Sequence, residues 1–246
     1  QLVTVSDLPQ PQLQSLLADM APQWQGKAPE LALALPAPAI QQGAIYLVHK
    51  DQSPQSEIRI VRRAMPRDLT GDFYRAGLMN FTLGGNFNSR INLNLREDKG
   101  YTYGARSGFG GDQQVGLFTA SAAVRADVTR ESIEEFLKEL NNYQQNGMTA
   151  AELNFMRSAV NQSEALRYET PNAKLGFMAQ MLEFNVGPEF TRERNQILQQ
   201  ASLEQLNALA SQYLSPSEMV IVVVGEADKL KPELEKLQLP IIELKL

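Results

Sequence analysis

The stretch Leu83-Gly-Gly-Asn-Phe-Asn-Ser-Arg-Ile-Asn-Leu-Asn-Leu-Arg-Glu-Asp-Lys-Gly-Tyr-Thr-Tyr-Gly-Ala105 constrains the fold of this chain more than any other. Upstream of it, Phe73, Ala76, Gly77 and Asn80 recur at helical spacing, so Asp72 to Leu83 reads as a helix stopped by Gly84-Gly85. Asn88 to Lys99 gives a second helix with Ile91, Leu93 and Leu95 apolar, and Gly100 as its C-terminal stop. The two glycines predict a tight helix-to-helix turn at positive φ, where a side chain is disfavoured. A strand, Tyr101 to Phe109, follows directly.

The rest of the chain adds strands before this unit and helices after it. Ala44 to Val48 and Glu57 to Arg63 read as strands, and Val115 to Val124 pairs with Tyr101 to Phe109 through Gly110-Gly111-Asp112. Asp127 or Thr129 caps a helix running to about Gln145, with Ile133, Phe136, Leu137 and Leu140 on one face and Gly147 at its end. Thr149-Ala-Ala-Glu152 is a capping box that opens a helix to about Arg167. Thr170-Pro171 starts a third helix, Ser202 a fourth, and Met219 to Val224 is a last strand. This order predicts an α+β domain with helices packed over a mainly antiparallel sheet.

The two ends of the chain look alike. Leu2 to Pro9 and Met219 to Ala227 each read as a buried strand and turn, followed by leucines at helical spacing. This repetition predicts that residues 1–25 are the tail of a preceding domain, 26–43 an extended linker, and 44–246 one full domain. A start at Gln1, with neither methionine nor signal peptide, is expected of a segment of a longer protein.

A net charge of −5 leaves no basic excess for a nucleic-acid surface. The short cluster Arg59, Arg62, Arg63 and Arg67 reads as a solvated strand face, and no apolar run approaches the ~20 residues of a membrane helix. With no cysteine, disulfides and thiol chemistry are excluded. The single histidine, His49, reads as a strand-end residue, because no carboxylates stand at metal-ligand spacing beside it. Gly84-Gly85 lacks the G-K-[ST] ending of a phosphate loop and follows a helix rather than a strand. Glu134, Glu135 and Glu152 read as solvated helix positions, and the stripe Phe177, Met178, Met181 and Leu182 as core.

Residues 83–105 closely resemble a signature of the M16 (pitrilysin-like) zinc metallopeptidases, in which a glycine-rich turn leads into a helix ending L-R-E-x-K-G. Here that ending is Leu95-Arg96-Glu97-Asp98-Lys99-Gly100. The resemblance runs from about residue 44 to 230 and implies the domain fold shared with mitochondrial processing peptidase. The family's metal site, H-x-x-E-H, needs two histidines, so this chain resembles the non-catalytic half, without cofactor of its own. The resemblance then implies zinc in a catalytic M16 half, in the same polypeptide or a partner subunit. It also implies a peptide substrate and, from family habit, the bacterial periplasm rather than the cytoplasm. In such halves an arginine and a tyrosine at this spacing serve the opposite half's site, which would make Arg96 a substrate-backbone donor and Tyr103 an oxyanion donor. The alternative is that Arg96 pairs with Glu97 or Asp98 and Tyr103 packs in the sheet, with Tyr101 the competitor for Tyr103's role. A strand edge at Val115 to Val124, with Phe109, could add a peptide strand. A rival function is an M16-like scaffold or binding subunit that has lost proteolysis.

Overall fold

The computed structural model describes residues 2–23, 26–27, 40–164 and 168–245. Its strands are β1 (Ile45–His49), β2 (Gln55–Ala64), β3 (Thr102–Gly111), β4 (Gly116–Arg125), β5 (Val220–Gly225) and β6 (Ile241–Leu244). The α-helices are α1 (Gln10–Leu17), α2 (Met20–Gln23), α3 (Asp72–Asn80), α4 (Arg90–Asn92), α5 (Thr129–Asn146), α6 (Ala150–Glu164), α7 (Pro171–Phe184), α8 (Phe190–Gln200), α9 (Leu203–Tyr213) and α10 (Ala227–Leu234). The described residues fall into two compact units, bounded as Gln1–Ala37 with Ala159–Phe190, and Pro38–Ser158 with Thr191–Leu246.

The larger unit is built on a six-stranded sheet in the order β3-β4-β2-β5-β1-β6. The pairs β3–β4, β4–β2 and β2–β5 are antiparallel, whereas β1 lies parallel to both β5 and β6. Period-two alternation sends one set of side chains to a core. Ser56, Ile58 and Ile60 of β2, Phe118, Ala120, Ala122 and Val124 of β4, and Ile221 and Val223 of β5 are all buried. They meet Ile133, Phe136, Leu140 and Tyr143 of α5 and Leu206, Leu209 and Ala210 of α9, all buried too. The opposite face carries Glu57, Arg59, Val61, Arg63, Leu117, Thr119, Ser121 and Ala123, none of them buried. Helices on one face and an open second face are the expected layer arrangement.

The helical stretch before β3 departs from plain α geometry. Two π-helical segments, Phe81–Gly85 and Leu93–Asp98, continue α3 and α4. Gly84 and Gly85 are inside the first of these, and neither has positive φ, contrary to the expected turn. Closeness is what requires glycine here. A Cβ on Gly84 would stand 2.2 Å from the Ser107 Oγ and 2.4 Å from its backbone nitrogen, so the helix end lies directly on β3. Asn80 ties the same place from the side, donating from Nδ2 to the Ser107 carbonyl (2.8 Å) and accepting from its hydroxyl (2.5 Å). Gly100 does take the left-handed conformation, φ +63°, that ends the second helical segment.

Other expectations are corrected. Neither Asp127 nor Thr129 caps α5: Val128 is at the N-cap without a side-chain bond, and Thr129 donates to the Ala126 carbonyl (2.8 Å). β4 is flanked by β2 and β3 and has no free edge, so the edge beside the helical segments is β3. Phe109 packs at 5.1 Å on Phe118 and 6.2 Å on Tyr213, on the core side. The break between α7 and α8, with Asn185 left-handed at φ +51°, and the four-residue edge strand β6 were not foreseen. By contrast, the caps at Thr149, Thr170 and Ser202 form as the sequence suggests.

In the smaller unit, α1 and α2 follow the leucine spacing, but residues 2–6 form no strand, lacking a ladder partner among the described residues. Most of the expected linker, residues 28–39, lies outside the described residues. The Phe177–Leu182 stripe is not core: α7 buries no residue, with Met178 42% and Leu182 40% exposed. Leu175, Phe177, Met178, Met181 and Leu182 fall within one arc of about 160°, and none of them is buried among the described residues.

The two helical glycines of α3 and its continuation should respond oppositely. Gly84→Ala forces Ser107 or the backbone to shift and should cost about 1–3 kcal/mol. Gly77→Ala meets nothing within 4 Å. It should gain about 0.5–1 kcal/mol from helix propensity. Thermal unfolding of the two variants checks both signs.

Candidate functional site

Arg90 fixes the base of the site. Its Nε and Nη2 donate to the two carboxylate oxygens of Glu152, each at 2.6 Å, and Nη2 also reaches the Gly147 carbonyl at 3.0 Å. The guanidinium lies 4.6 Å over the Tyr143 ring. Tyr143 in turn donates to the Met79 carbonyl (2.8 Å) and meets the Thr82 hydroxyl (2.8 Å). Glu152 is therefore no solvated helix residue; it locks α6 to the start of α4. Burial alone would raise its carboxyl, but bonds from Arg90 and from the Thr149 backbone and hydroxyl outweigh that and hold it below its ordinary value. Its hydrogen bond holds the Arg90 guanidinium protonated, while burial pushes the Tyr143 phenol well above its ordinary range.

Above this base, Asn92 spans from α4 to β3. Its Nδ2 donates to the Phe87 carbonyl (2.7 Å), and its Oδ1 accepts from Ala105 N–H (3.0 Å). The strand register breaks between Thr102 and Ala105, a bulge where Thr102 Oγ1 donates to the Ala123 carbonyl at 2.6 Å. Bulges re-aim side chains, and Tyr103 at this one is 93% exposed. No hydrogen bond, ring contact or ion pair engages its phenol among the described residues. Tyr101 precedes β3, and its N–H donates to the Leu95 carbonyl (2.9 Å), which ties it to the helix end.

Arg96 lies in the second π-helical segment, where the Lys99 N–H reaches back five residues to the Asn94 carbonyl (3.0 Å). The wider turn is a recurrent feature of functional sites. Its guanidinium rests 4.5 Å over the Phe87 ring and approaches Glu97 at 3.5 Å. Arg96 and Tyr103 share no direct bond. Neither lines the cleft of about 450 Å³ nearby, but its walls include Phe87, over which Arg96 lies, and Gly104, the residue after Tyr103. Glu57, Asn92, Arg106, Ser121 and Ala123 complete much of it. Sequence reasoning did not single out Phe87, Asn92 or Gly104; an asparagine between Ile91 and Leu93 on an apolar helix was the available signal.

His49 plays a structural part. Its Nδ1 accepts the Ala227 N–H at the start of α10 (3.2 Å), and its Nε2 is 2.8 Å from Asp51. Among the described residues no group of three or more His, Asp or Glu side chains could hold a metal ion. Nor, among them, is any helix long and apolar enough to cross a membrane. Arg62 is likewise not part of a solvated strand face. It donates to the Gln212 carbonyl (2.7 Å), pairs with Glu218 and lies over Tyr213.

A helical segment closed against an edge strand, on a sheet covered by helices on one face, defines a two-layer α+β domain, and with a single histidine in the sequence it cannot form an H-x-x-E-H metal site. The sequence profile described as "Peptidase M16 inactive domain" matches residues 1–160, and the chain belongs to this family. A curated relative, the non-peptidase homolog YmxG of Helicobacter pylori, is 25% identical over 174 residues, or 67% of this chain and 38% of its own length. Among solved structures, a peptidase M16 inactive domain from Pseudomonas fluorescens superposes with a TM-score of 0.74 at 25% identity. The match covers 89% of this chain and 51% of that one. A protease from Helicobacter pylori gives 0.71 at 18% identity, covering 89% and 54%, and so shares the fold. The chain thus spans about half the length, or less, of the relatives it matches.

The Arg90–Glu152 pair should leave a pH signature. Because folded Glu152 ionises below its ordinary 4.5, its contribution is complete above about pH 4.5 and lost as pH falls through the folded value. Glu152→Gln, which leaves Arg90 without its counter-ion, should cost about 2–4 kcal/mol at pH 7. The gap to wild type should narrow in acid, as thermal unfolding at pH 7 and pH 3 would reveal.

Proposed function

We propose that this chain is the non-catalytic half of an M16 zinc endopeptidase, forming part of the wall around a peptide and lending two side chains to the opposite half's active site. Residues 1–25 would then be the end of a preceding domain and 44–246 the domain that serves this role. The observation that carries the reading is the exposed, unengaged phenol of Tyr103 at a strand bulge, next to a cleft walled by Gly104 and by Phe87, the ring under Arg96. A tyrosine that only packed in the sheet would bury its ring, and this one does not.

Zinc in the opposite half would polarise the scissile carbonyl and its bound water. Arg96 is steadied on Phe87 and by Glu97 at its Nε, and its Nη hydrogens would donate to peptide carbonyls and hold the substrate backbone. Tyr103 would donate its phenolic hydrogen to the carbonyl oxygen as negative charge develops there. Both roles suit groups placed by a rigid base rather than by a mobile loop, and the Arg90, Asn92 and Gly84 contacts supply one.

The second reading, a scaffold or binding subunit without proteolysis, is favoured by the one observation that a 25% identical relative is a non-peptidase homolog. Assembly with the catalytic M16 half separates the two. Tyr103→Phe should lower kcat by about 10²–10³ with little change in KM. Arg96→Ala should raise KM as well. Equal peptide hydrolysis by wild type and both variants, or none in any, would move the assignment to the scaffold.

A further inference from the structure

The open face of the sheet carries three arginines around a floor of small side chains. Arg59 of β2 and Arg106 of β3 both pair with Ser121 of β4, one on each side of it. Two strand spacings separate them, about 10 Å. Arg63, four residues along β2, pairs with Leu117 opposite Gly110 and stands about 13 Å further down the sheet. From the Arg59 row toward Arg63, β4 offers Ser121 and Thr119 on this face, and Leu117 beside Arg63 closes that end. A second cleft, of about 290 Å³, is lined by Arg59, Arg106, Gly108, Phe109, Thr119 and Ser121 among others. It shares Arg106 and Ser121 with the cleft beside Arg96 and Tyr103, so the two are continuous along β3.

Two features set this trough apart from an ordinary solvated strand face. The first is glycine where packing asks for none. A Cβ on Gly108 or Gly110 would meet nothing within 4 Å, and one on Gly104 only Asn92 at 3.9 Å. These glycines keep the trough empty rather than relieve a clash. The second is uncompensated charge in a chain of net charge −5. Neither Arg63 nor Arg106 has an ion-pair partner among the described residues. Arg59 has only Glu57, at 3.6 Å, the one carboxylate in its row.

We infer that this trough receives an extended, acidic peptide segment, continuing from the Arg96–Tyr103 end; the inference rests on the peptide-binding reading above and names the class of peptide. In an extended chain, carboxylates four positions apart lie about 13 Å apart, which matches the spacing of Arg59 and Arg63 along β2, while Arg106 faces the same segment from the other side of the trough. Each solvent-exposed pair is worth roughly two- to three-fold in affinity, so three pairs give on the order of tenfold for an acidic over a basic peptide. Salt should weaken the preference, since the Debye length is only about 8 Å at physiological ionic strength.

The test is fluorescence anisotropy of the whole chain with labelled decapeptides carrying glutamate, or lysine, at alternate positions, at low and physiological salt. Wild type should bind the acidic peptide about tenfold more tightly. The double variant Arg63→Glu, Arg106→Glu should invert the preference. Gly108→Leu, which fills the trough without a clash, should abolish binding while leaving thermal unfolding unchanged. Tyr103→Phe should keep the charge preference, so loss of the catalytic reading and loss of this one are distinguishable. Equal binding of the two peptides, an unaltered preference in the charge-reversed variant, or tighter binding of a single-stranded DNA decamer would overturn the proposal.

Discussion

Arg90 is the interaction on which the site depends. One guanidinium ties a carboxylate of α6, the carbonyl that ends α5 and the face of a buried tyrosine to the first residue of α4. Its planar fork makes the bidentate contact that a lysine ammonium could not. With this anchor in place, the short helix and its π-helical continuation are held over β3, and Gly84 permits an approach to Ser107 so close that an added Cβ would clash with it. Arg96 and the Tyr103 bulge follow from that placement. The site is therefore a product of packing between the helical segment and an edge strand, and owes nothing to loop geometry.

Much of this was legible in the sequence, for identifiable reasons. The helix–glycine–helix–glycine–strand order of residues 72–109 shows directly in spacing, and so do the capping residues Thr149, Thr170 and Ser202, because both depend on local hydrogen bonds. The helical-segment resemblance carried the family as well. What failed depended on distant partners. Gly84 looked like a turn glycine, since nothing nearby in sequence reveals Ser107 above it. Glu152 looked solvated because its partner Arg90 is sixty-two residues upstream. The apolar stripe of α7 looked like core, yet spacing cannot say whether a small unit has enough elements to enclose it. Of the candidate site, Arg96 and Tyr103 were readable from the motif, but the trough was not: it emerges only when β2, β3 and β4 are put in register.

The open sheet face gives the larger unit two unlike surfaces. One is filled by Phe118, Phe136, Tyr143 and their neighbours, and accounts for stability. The other is flat, lightly furnished and basic along one side, and contributes little to holding the fold. Arg96, Tyr103 and the trough arginines all belong to it or to its rim, which suits a surface that meets something outside the chain. In the smaller unit, the exposed leucines and methionines of α1, α2 and α7 form separate apolar surface.

The proposed role of this half requires that the position of Tyr103 touch a peptide. The most direct measurement puts a photo-reactive benzoylphenylalanine at position 103, assembles the chain with the catalytic M16 half, and irradiates it in the presence of a peptide that half cleaves. A covalent adduct between residue 103 and the peptide is the predicted result. Crosslinks that run only to the partner half, or none at any peptide concentration, would contradict it.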